Sequence, residues 1–402
     1  MTDLRTKFRN PDSGYRTAPL WVWNDLMDEK IIDFQLRELK KHGFGGAFVH
    51  PRPGIITEYL SEDWFNKWSH ALQTAKKLDM KLYIYDENSY PSGFAGGHVP
   101  AQLPDCLATS ITYRIEPVEQ YRDNRDGAPK WVVNSNLLRV YAVTIREDDK
   151  EIIRINRNLT DVPQDEWHRY GKWIMTIELV PAQTMSWLAG FAYVDMMRPE
   201  VTQTFLKTTY DAYHERFGED FGKHIPAIFT DEPAVAGSNI YQNKKTELPF
   251  SYWFAAEFEK RRGYHLLDHL PALFKNVDFE EFVKPPEKVR YDYYCTVREL
   301  WIENSIQPIA KWCEEHGIAW TGHFLENFWP LAGGMMVSPS IMAAYEYFQW
   351  PAIDLLLGSV LRDKPTDDLL VTLLEVKSVS NQFGKERVLC EAYGAGGWDS
   401  TL

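Results

Sequence analysis

Four short runs of β-branched and aromatic residues in this 402-residue chain end in carboxylates. The acids that follow them are Asp86 with Glu87, Asp231 with Glu232, Glu326, and Glu391. In parallel α/β barrels the strands end at a common face, where the loops build the active site. We therefore expect these acids to converge there, in catalytic or substrate-binding roles.

Glu232 and Glu391 are the strongest candidates for catalysis. Within Thr230-Asp231-Glu232-Pro233, adjacent strand residues point to opposite faces, so Asp231 and Glu232 should differ in role. Glu391 lies between an apolar dipeptide and a glycine-rich segment, where partial desolvation would raise its pKa and suit proton transfer. The alternatives are a plain loop acid at Glu232 and an arginine-paired acid at Glu391.

The segment Tyr85 to Gly97 is the most specific local signal. Asp86 and Glu87 at a strand end can hold sugar hydroxyls, and the following proline and glycines shape a tight loop that brings backbone close to a ligand. The alternative is a structural turn with solvated acids. The glycines match neither a Walker pattern nor a dinucleotide-binding fingerprint.

Other polar and aromatic residues at strand ends complete the predicted substrate-binding set. With Asp86, Glu87 and Asp231, the set contains Trp23, Asn24, His50, His323, Glu326 and Trp398. Each histidine could equally be structural, and each tryptophan could be core. Asp86, Glu87, Asp231 and Glu326 could instead assemble a hard-cation site, since calcium takes several oxygen ligands. No zinc-binding spacing is present, and metal ligands stay unassigned.

The elements that must position these residues begin with a strand–helix rhythm. Strands are predicted at Ala18 to Asn24, Gly46 to His50 and Lys81 to Asp86, with helices that begin after Asp28 and Ser61. Such alternation indicates right-handed parallel units. We predict an α/β fold, a (β/α)8 TIM-type barrel.

The rhythm breaks in the middle of the chain, where alternating segments separated by turn residues predict an inserted antiparallel β subdomain. The predicted division is 1–106 for the first half of the barrel, 107–186 for the inserted subdomain and 187–402 for the second half. If Phe191 to Asp195 is a strand, the barrel reaches eight strands. If it is not, Glu391 ends the seventh and the barrel is incomplete at the C-terminus.

Composition narrows the classes of partner. The formal charge of −13 disfavours nucleic acid and anionic membranes. Four scattered cysteines suit neither a disulfide scaffold nor a zinc site. The first ten residues carry no apolar signal-peptide stretch, so a cytoplasmic protein is expected. Aromatic residues make up 14% of the chain, which is compatible with core packing and with a sugar-binding cleft.

Several of these motifs, taken in order, carry a family resemblance. The motifs Trp21-Val22-Trp23-Asn24, Tyr85-Asp86-Glu87, Thr230-Asp231-Glu232-Pro233 and Glu391-Ala392-Tyr393-Gly394 together resemble the catalytic barrel of glycoside hydrolase family 106, the α-L-rhamnosidases, and its uncharacterised relatives. The resemblance implies an inverting, calcium-assisted enzyme. It also implies that Glu232 and Glu391 form the carboxylate pair, with Asp86, Glu87 and Asn24 around the sugar. This chain is shorter than that family's and lacks its β-sandwich domains.

The leading prediction is a glycosidase that cleaves a terminal sugar, with rhamnose implied by the resemblance, through two carboxylates. Carboxyl groups roughly 6.5–9.5 Å apart would invert the anomeric centre, and groups about 5–5.5 Å apart would retain it. The alternatives are a non-catalytic carbohydrate-binding barrel or fragment, and a metal-dependent hydrolase. A carbohydrate is the expected partner, and the oligomeric state is open.

Overall fold

The computed structural model describes residues 4–121, 136–235, 247–278, 284–324, 340–355 and 367–394. Its strands, numbered in chain order, are β1 (Leu20–Trp23), β2 (Gly46–Pro51), β3 (Lys81–Tyr85), β4 (Ser110–Pro117), β5 (Leu137–Ile145), β6 (Ile152–Asn158), β7 (Trp173–Val180), β8 (Ala227–Asp231), β9 (Leu248–Pro249), β10 (Asn276–Asp278), β11 (Ala319–His323), β12 (Trp350–Leu355) and β13 (Leu389–Ala392). The α-helices are Leu4–Arg9, Glu29–Lys41, Glu62–Lys77, His98–Gln102, Pro199–Phe205, Asp211–Phe217, Tyr252–Arg262, Pro271–Phe274, Pro286–Trp301, Gln307–Glu315, Ile341–Tyr345 and Asp367–Phe383. None of these described helices is long and apolar enough to cross a membrane.

The chain divides into two compact units. The first is built from Met1–Cys106, Thr184–Ala234 and Leu300–Leu402, and the second from Leu107–Gln183 and Val235–Glu299. The predicted division placed all of 187–402 with the barrel, whereas the structure groups 235–299 with the inserted sheet. The reason is strand pairing, because β9 pairs with β4 and β10 pairs with β6.

The first unit contains a seven-stranded sheet in the order β1-β2-β3-β8-β11-β12-β13. Every neighbouring pair is parallel, and the order in space follows the order in the chain, which confirms the predicted α/β class. Because β3 pairs directly with β8, Phe191 to Asp195 is not a strand of this sheet. Among the described residues the sheet therefore has seven strands, and closure as a (β/α)8 barrel stays a prediction.

Arg387 joins the two ends of this sheet. It lies just before β13 and donates a hydrogen bond of 2.9 Å to the carbonyl of Gly14, which precedes β1. Its guanidinium also stacks 4.4 Å from the Tyr15 ring centroid and 4.6 Å from that of Trp350. The segments that enter the first and last strands therefore meet, so the sheet is curled rather than flat.

One face of the curled sheet carries an aromatic cluster. Phe48, Tyr83, Tyr85, Ala227 and Phe229 pack together there, and Leu20, Ala319, Trp350 and Leu389 from the other strands pack against them. We call this side the inner face. Because side chains alternate along a strand, residues an even number of positions further along the same strands point to the same side.

The opposite, outer face packs on helices that begin where the sequence predicts. The Asp28 carboxylate accepts a hydrogen bond of 2.8 Å from the amide of Lys30, and the Ser61 hydroxyl accepts one of 3.2 Å from Trp64. Two further helical stretches run from Pro199 to Phe217 and from Pro286 to Glu315. Each contains one π-helical turn, Leu206–Tyr210 and Ile302–Ile306, a feature that is frequent at functional sites.

The second unit contains a six-stranded sheet in the order β10-β6-β5-β7-β4-β9. Strands β4 to β7 pair antiparallel, in agreement with the alternating pattern of the predicted insertion. Its hydrophobic core contains Tyr121, Val140, Ala142, Leu159, Trp167 and Ile174.

Candidate active site

Polar side chains replace the aromatic cluster at the carboxyl ends of the inner face. They come from six of the seven strands, and each lies at or within one residue of its strand's end: His50, Tyr85, Asp231, His323, Asp354 and Glu391. We call this set the inner ring. Adjacent members are in register, since the Cα of His323 pairs with that of Asp231 and Asp354 pairs with Glu391. The predicted convergence of acids is thus found for Asp231 and Glu391.

Asp231 anchors the centre of the inner ring. One carboxylate oxygen accepts a short hydrogen bond from the Tyr85 hydroxyl, and the other lies 3.4 Å from Nε2 of His323. Nε2 also lies 3.8 Å from Asp354 Oδ2. Two carboxylates facing one nitrogen favour a proton on Nε2. Burial lowers the pKa of His323, opposed by the charge of Asp231, and this direction favours the neutral imidazole with Nδ1 as an acceptor.

Glu391 lies beside that acceptor. Its Oε2 is 4.0 Å from Nδ1 of His323, and its side chain is 19% exposed while His323 is 1% exposed. Glu391 is therefore the member of the His323–Glu391 pair that a substrate can reach. Nδ1 forms no hydrogen bond within the described residues, and a side-chain movement of about 1 Å would bring it within hydrogen-bond distance of a protonated Glu391 carboxyl.

Asp354 is a ring member that the sequence analysis missed. It is 6% exposed and lies across the β12–β13 pair from Glu391. The available signal was its position in a short apolar strand, four residues after Trp350, which packs on the inner-face cluster. Counting along the strand by twos from such a core residue would have assigned Asp354 to the inner face.

Glu232 stands at the rim of the ring. Its backbone is left-handed, with φ of 46°, and its amide donates a hydrogen bond of 3.0 Å to the carbonyl of His323. This conformation is uncommon for a side chain other than glycine, and it ends the regular alternation of β8. Donor atoms of Asp231, Glu232 and His323 lie within 4.8 Å of one another, as do those of His323, Asp354 and Glu391. Both predicted catalytic carboxylates therefore approach His323.

Asp86 lies on the outer side of the sheet, because it follows the inner-facing Tyr85. It is fully buried and accepts hydrogen bonds of 2.6 Å from the Ser92 hydroxyl and 2.7 Å from the Tyr210 hydroxyl. Burial raises its pKa to about 7 although these hydroxyls favour the charged form. Tyr210 belongs to the first π-helical turn. Asp86 therefore ties β3 to a helix, which does not match the predicted sugar contact.

Glu87 organises the loop that follows β3. Its carboxylate accepts hydrogen bonds from five backbone amides, those of Asn88, Gly93, Phe94, Ala95 and Gly96. Burial raises the pKa of this carboxyl, and the amides oppose that shift. With both oxygens occupied by loop amides, Glu87 does not match the predicted role of sugar ligand. It is a structural acid, and it is buried rather than solvated.

The remaining predicted substrate residues are divided among several environments. Trp23 is fully buried on the outer side, edge-on to Trp64 at 5.1 Å, so it is core. Asn24 is exposed at the end of β1. His50 is 1% exposed and stacks on Tyr85 at 3.8 Å. Glu326 and Trp398 lie outside the described residues.

The donor atoms do not fit the calcium that the resemblance implies. Asp86 and Glu87, half of the predicted hard-cation set, already accept hydrogen bonds from hydroxyls and amides. The groupings around His323 each combine an imidazole with two carboxylates. Calcium takes six to eight oxygen ligands, whereas the side chains of each grouping offer two carboxylates and one nitrogen.

Comparison with known proteins agrees with the barrel-like architecture. No family model matches the chain. A curated protein of Formosa agariphila named "Putative beta-glucuronidase" is 21% identical over 99% of this chain, which spans 36% of that relative. The solved structure of a rhamnosidase from Novosphingobium sp. PP1Y superimposes with a TM-score of 0.61 at 14% identity, over 98% of this chain and 53% of the rhamnosidase. The second comparison shows a shared fold.

Proposed function

We propose that this chain is the catalytic part of a glycoside hydrolase that releases a terminal sugar, with Glu232 and Glu391 as its carboxylate pair. The observation that carries the proposal is the position of Glu391, partly exposed at the carboxyl edge of the sheet and next to a buried imidazole fixed by two carboxylates. Glu232 follows β8, which is the neighbour of the strand that carries His323, and it approaches the same imidazole.

The roles of the two glutamates follow from the protonation of His323. With its proton on Nε2, His323 offers Nδ1 as an acceptor to Glu391, and an acceptor stabilises the protonated carboxyl. Glu391 is therefore assigned as the general acid that protonates the leaving oxygen. Glu232 then serves as the base that activates water or as the nucleophile at the anomeric carbon. The inverting mechanism that the family resemblance implies stays a prediction.

Two comparisons support the reaction class. The relative from Formosa agariphila and the superimposed Novosphingobium protein both carry names of glycosidases, although they are named for different sugars. The family resemblance adds α-L-rhamnose as one candidate sugar. This chain spans 36% and 53% of these two proteins, so the proposal concerns the catalytic unit alone.

The experiment is a panel of p-nitrophenyl α- and β-glycosides, including rhamnosides, glucosides and glucuronides. On the methyl glycoside of the best sugar, whose leaving oxygen needs a proton, Glu232→Gln and Glu391→Gln should each lower turnover by about 10²–10⁴-fold, which is the usual contribution of general acid–base catalysis. Glu386→Gln, an exposed glutamate just before β13, is the matched control and should retain full activity. Circular dichroism should show intact folds.

Three results would refute the proposal. Wild-type turnover by either catalytic variant would remove that residue from the pair. Binding of sugars without turnover of any glycoside would favour the carbohydrate-binding alternative. Hydrolysis of non-glycosidic esters that is lost to chelator and restored by a divalent ion, with no glycoside cleaved, would favour the metal-dependent alternative.

A further inference from the structure

Arg52 is a cation at the mouth of the inner ring whose charge no described carboxylate neutralises. It follows directly after β2, and its amide continues the ladder with a hydrogen bond of 3.1 Å to the carbonyl of Trp23. Alternation along the strand therefore holds as far as Arg52. Phe48 and His50 are inner-face residues, and Arg52, two positions on, lies on the same face.

Two aromatic rings hold the guanidinium in place. Its central carbon lies 5.1 Å from the ring centroid of Tyr90 and 5.4 Å from that of Trp187. The two rings contact each other edge-on at 5.4 Å, and the indole N–H of Trp187 donates a hydrogen bond of 2.8 Å to the carbonyl of Tyr90. Stacking of this kind fixes the plane of a guanidinium and leaves its in-plane N–H groups available to a ligand.

The position of Arg52 links it to the proposed chemistry. Burial is the largest influence on its two neighbours, lowering the pKa of His50 and raising that of Tyr85, and the charge of Arg52 acts on both groups by lowering each pKa. The Tyr85 hydroxyl in turn donates a hydrogen bond to Asp231. His50, stacked on Tyr85, has no hydrogen bond at either ring nitrogen within the described residues. A fixed cation and a buried imidazole thus lie side by side on the inner face.

We propose that Arg52 and His50 form a subsite that binds the carboxylate of a uronic acid, so that the preferred substrate is a glycoside of an acidic sugar. A guanidinium fork binds a carboxylate through two parallel hydrogen bonds. This inference rests on the proposed glycosidase function and names its substrate class. It replaces neutral rhamnose, which has no carboxylate, as the preferred sugar.

The test compares two substrates that differ only at C6, p-nitrophenyl glucuronide and p-nitrophenyl glucoside, in both anomeric forms. The wild-type protein should prefer the uronide by at least 10-fold in kcat/KM. Arg52→Gln should lower kcat/KM for the uronide by roughly 10- to 100-fold, which is the usual effect of losing a hydrogen bond to a charged group. The same variant should change kcat/KM for the glucoside by less than 3-fold, which is about 0.6 kcal/mol. Arg52→Lys keeps the charge without the fork and should lie between.

Arg157→Gln is the matched control, because Arg157 also stacks on a tyrosine, Tyr170 at 4.8 Å, but belongs to the second unit. It should leave both substrates unaffected. A wild-type enzyme that hydrolyses both sugars equally would overturn the inference while leaving the glycosidase proposal intact. A parallel loss on both sugars in Arg52→Gln would assign Arg52 a structural role instead.

If no aryl glycoside is hydrolysed, the proposed function fails, and calorimetry with free D-glucuronate and D-glucose decides the subsite separately. Tighter binding of glucuronate that Arg52→Gln abolishes supports the inference. Equal binding of both sugars, or binding of neither, overturns it.

Discussion

Nδ1 of His323 lies 4.0 Å from Oε2 of Glu391, and the other nitrogen of the same imidazole lies 3.4 Å from Asp231. A single buried ring therefore connects an acid held inside the sheet to an acid that solvent can reach. Because Asp231 holds the Nε2 proton, the ring presents its acceptor to Glu391. The arrangement gives the two carboxylates different chemistry although both lie at the carboxyl ends of strands of the same sheet, β8 and β13.

The assignment of Glu391 as the acid predicts a dependence on the leaving group. Glu391→Gln should lose most activity on alkyl glycosides, whose leaving oxygen needs a proton, and far less on 2,4-dinitrophenyl glycosides, which leave without one. Glu232→Gln should lose activity on both by a similar factor. The measurement is kcat for each substrate pair. Equal losses in Glu391→Gln on good and poor leaving groups would contradict the assignment.

Removing the imidazole of His323 should reduce the catalytic rate although both proposed catalytic carboxylates remain. His323→Asn leaves Glu391 without its acceptor, and a misplacement of about 1 Å can cost on the order of 10²-fold in rate. We expect a fall of that order in kcat, with a shift in the acid limb of the pH–rate profile. His70→Asn is the control, since His70 pairs with Asp33 between helices. A fall in kcat with an unchanged pH profile would indicate only structural damage.

The buried carboxyl of Asp86 predicts a pH dependence of stability. Its folded pKa of about 7 lies above the ordinary 3.8, so the folded state binds more protons between those values. This contribution to stability is present below about pH 4 and is lost as the pH rises to 7, by up to about 4 kcal/mol at 1.36 kcal/mol per pKa unit. Asp86→Asn should remove it. The measurement is urea unfolding of both proteins from pH 4 to 8, and parallel curves would contradict the prediction.

Because five backbone amides donate hydrogen bonds to the Glu87 carboxylate, we expect its charge, rather than its size, to stabilise the loop after β3. Glu87→Gln turns an amide group toward backbone N–H donors, and each buried donor left without a partner costs about 1–3 kcal/mol. We expect the free energy of unfolding to fall by about 3 kcal/mol and the melting temperature to fall with it. Glu58→Gln, at an exposed site, should have little effect. Wild-type stability in Glu87→Gln would show that the amides do not depend on the carboxylate.

Much of the framework could be predicted because it depends on local pattern. The strands before Asn24, Arg52 and Asp86, the caps at Asp28 and Ser61, and the alternation of the inserted sheet each rest on residues close together in sequence. The predictions at 191–195 and 235–299 required knowledge of which strands pair. Strand pairing joins residues that are far apart in the chain, and the spacing of residues along the chain does not show which strands pair.

The sequence by itself determined that acids follow the strands of a parallel sheet, and it drew attention to Asp231, His323 and Glu391, which the fold brings together. Only the tertiary structure decided which acids face inward. Asp86 and Glu87 look like ligands in sequence, yet alternation turns Asp86 toward Tyr210, and five loop amides occupy Glu87. Asp354 looks like an ordinary strand residue, yet its register with Glu391 places it in the inner ring. The physical reason is that the direction of a side chain depends on strand register and on the donors that folding brings to it.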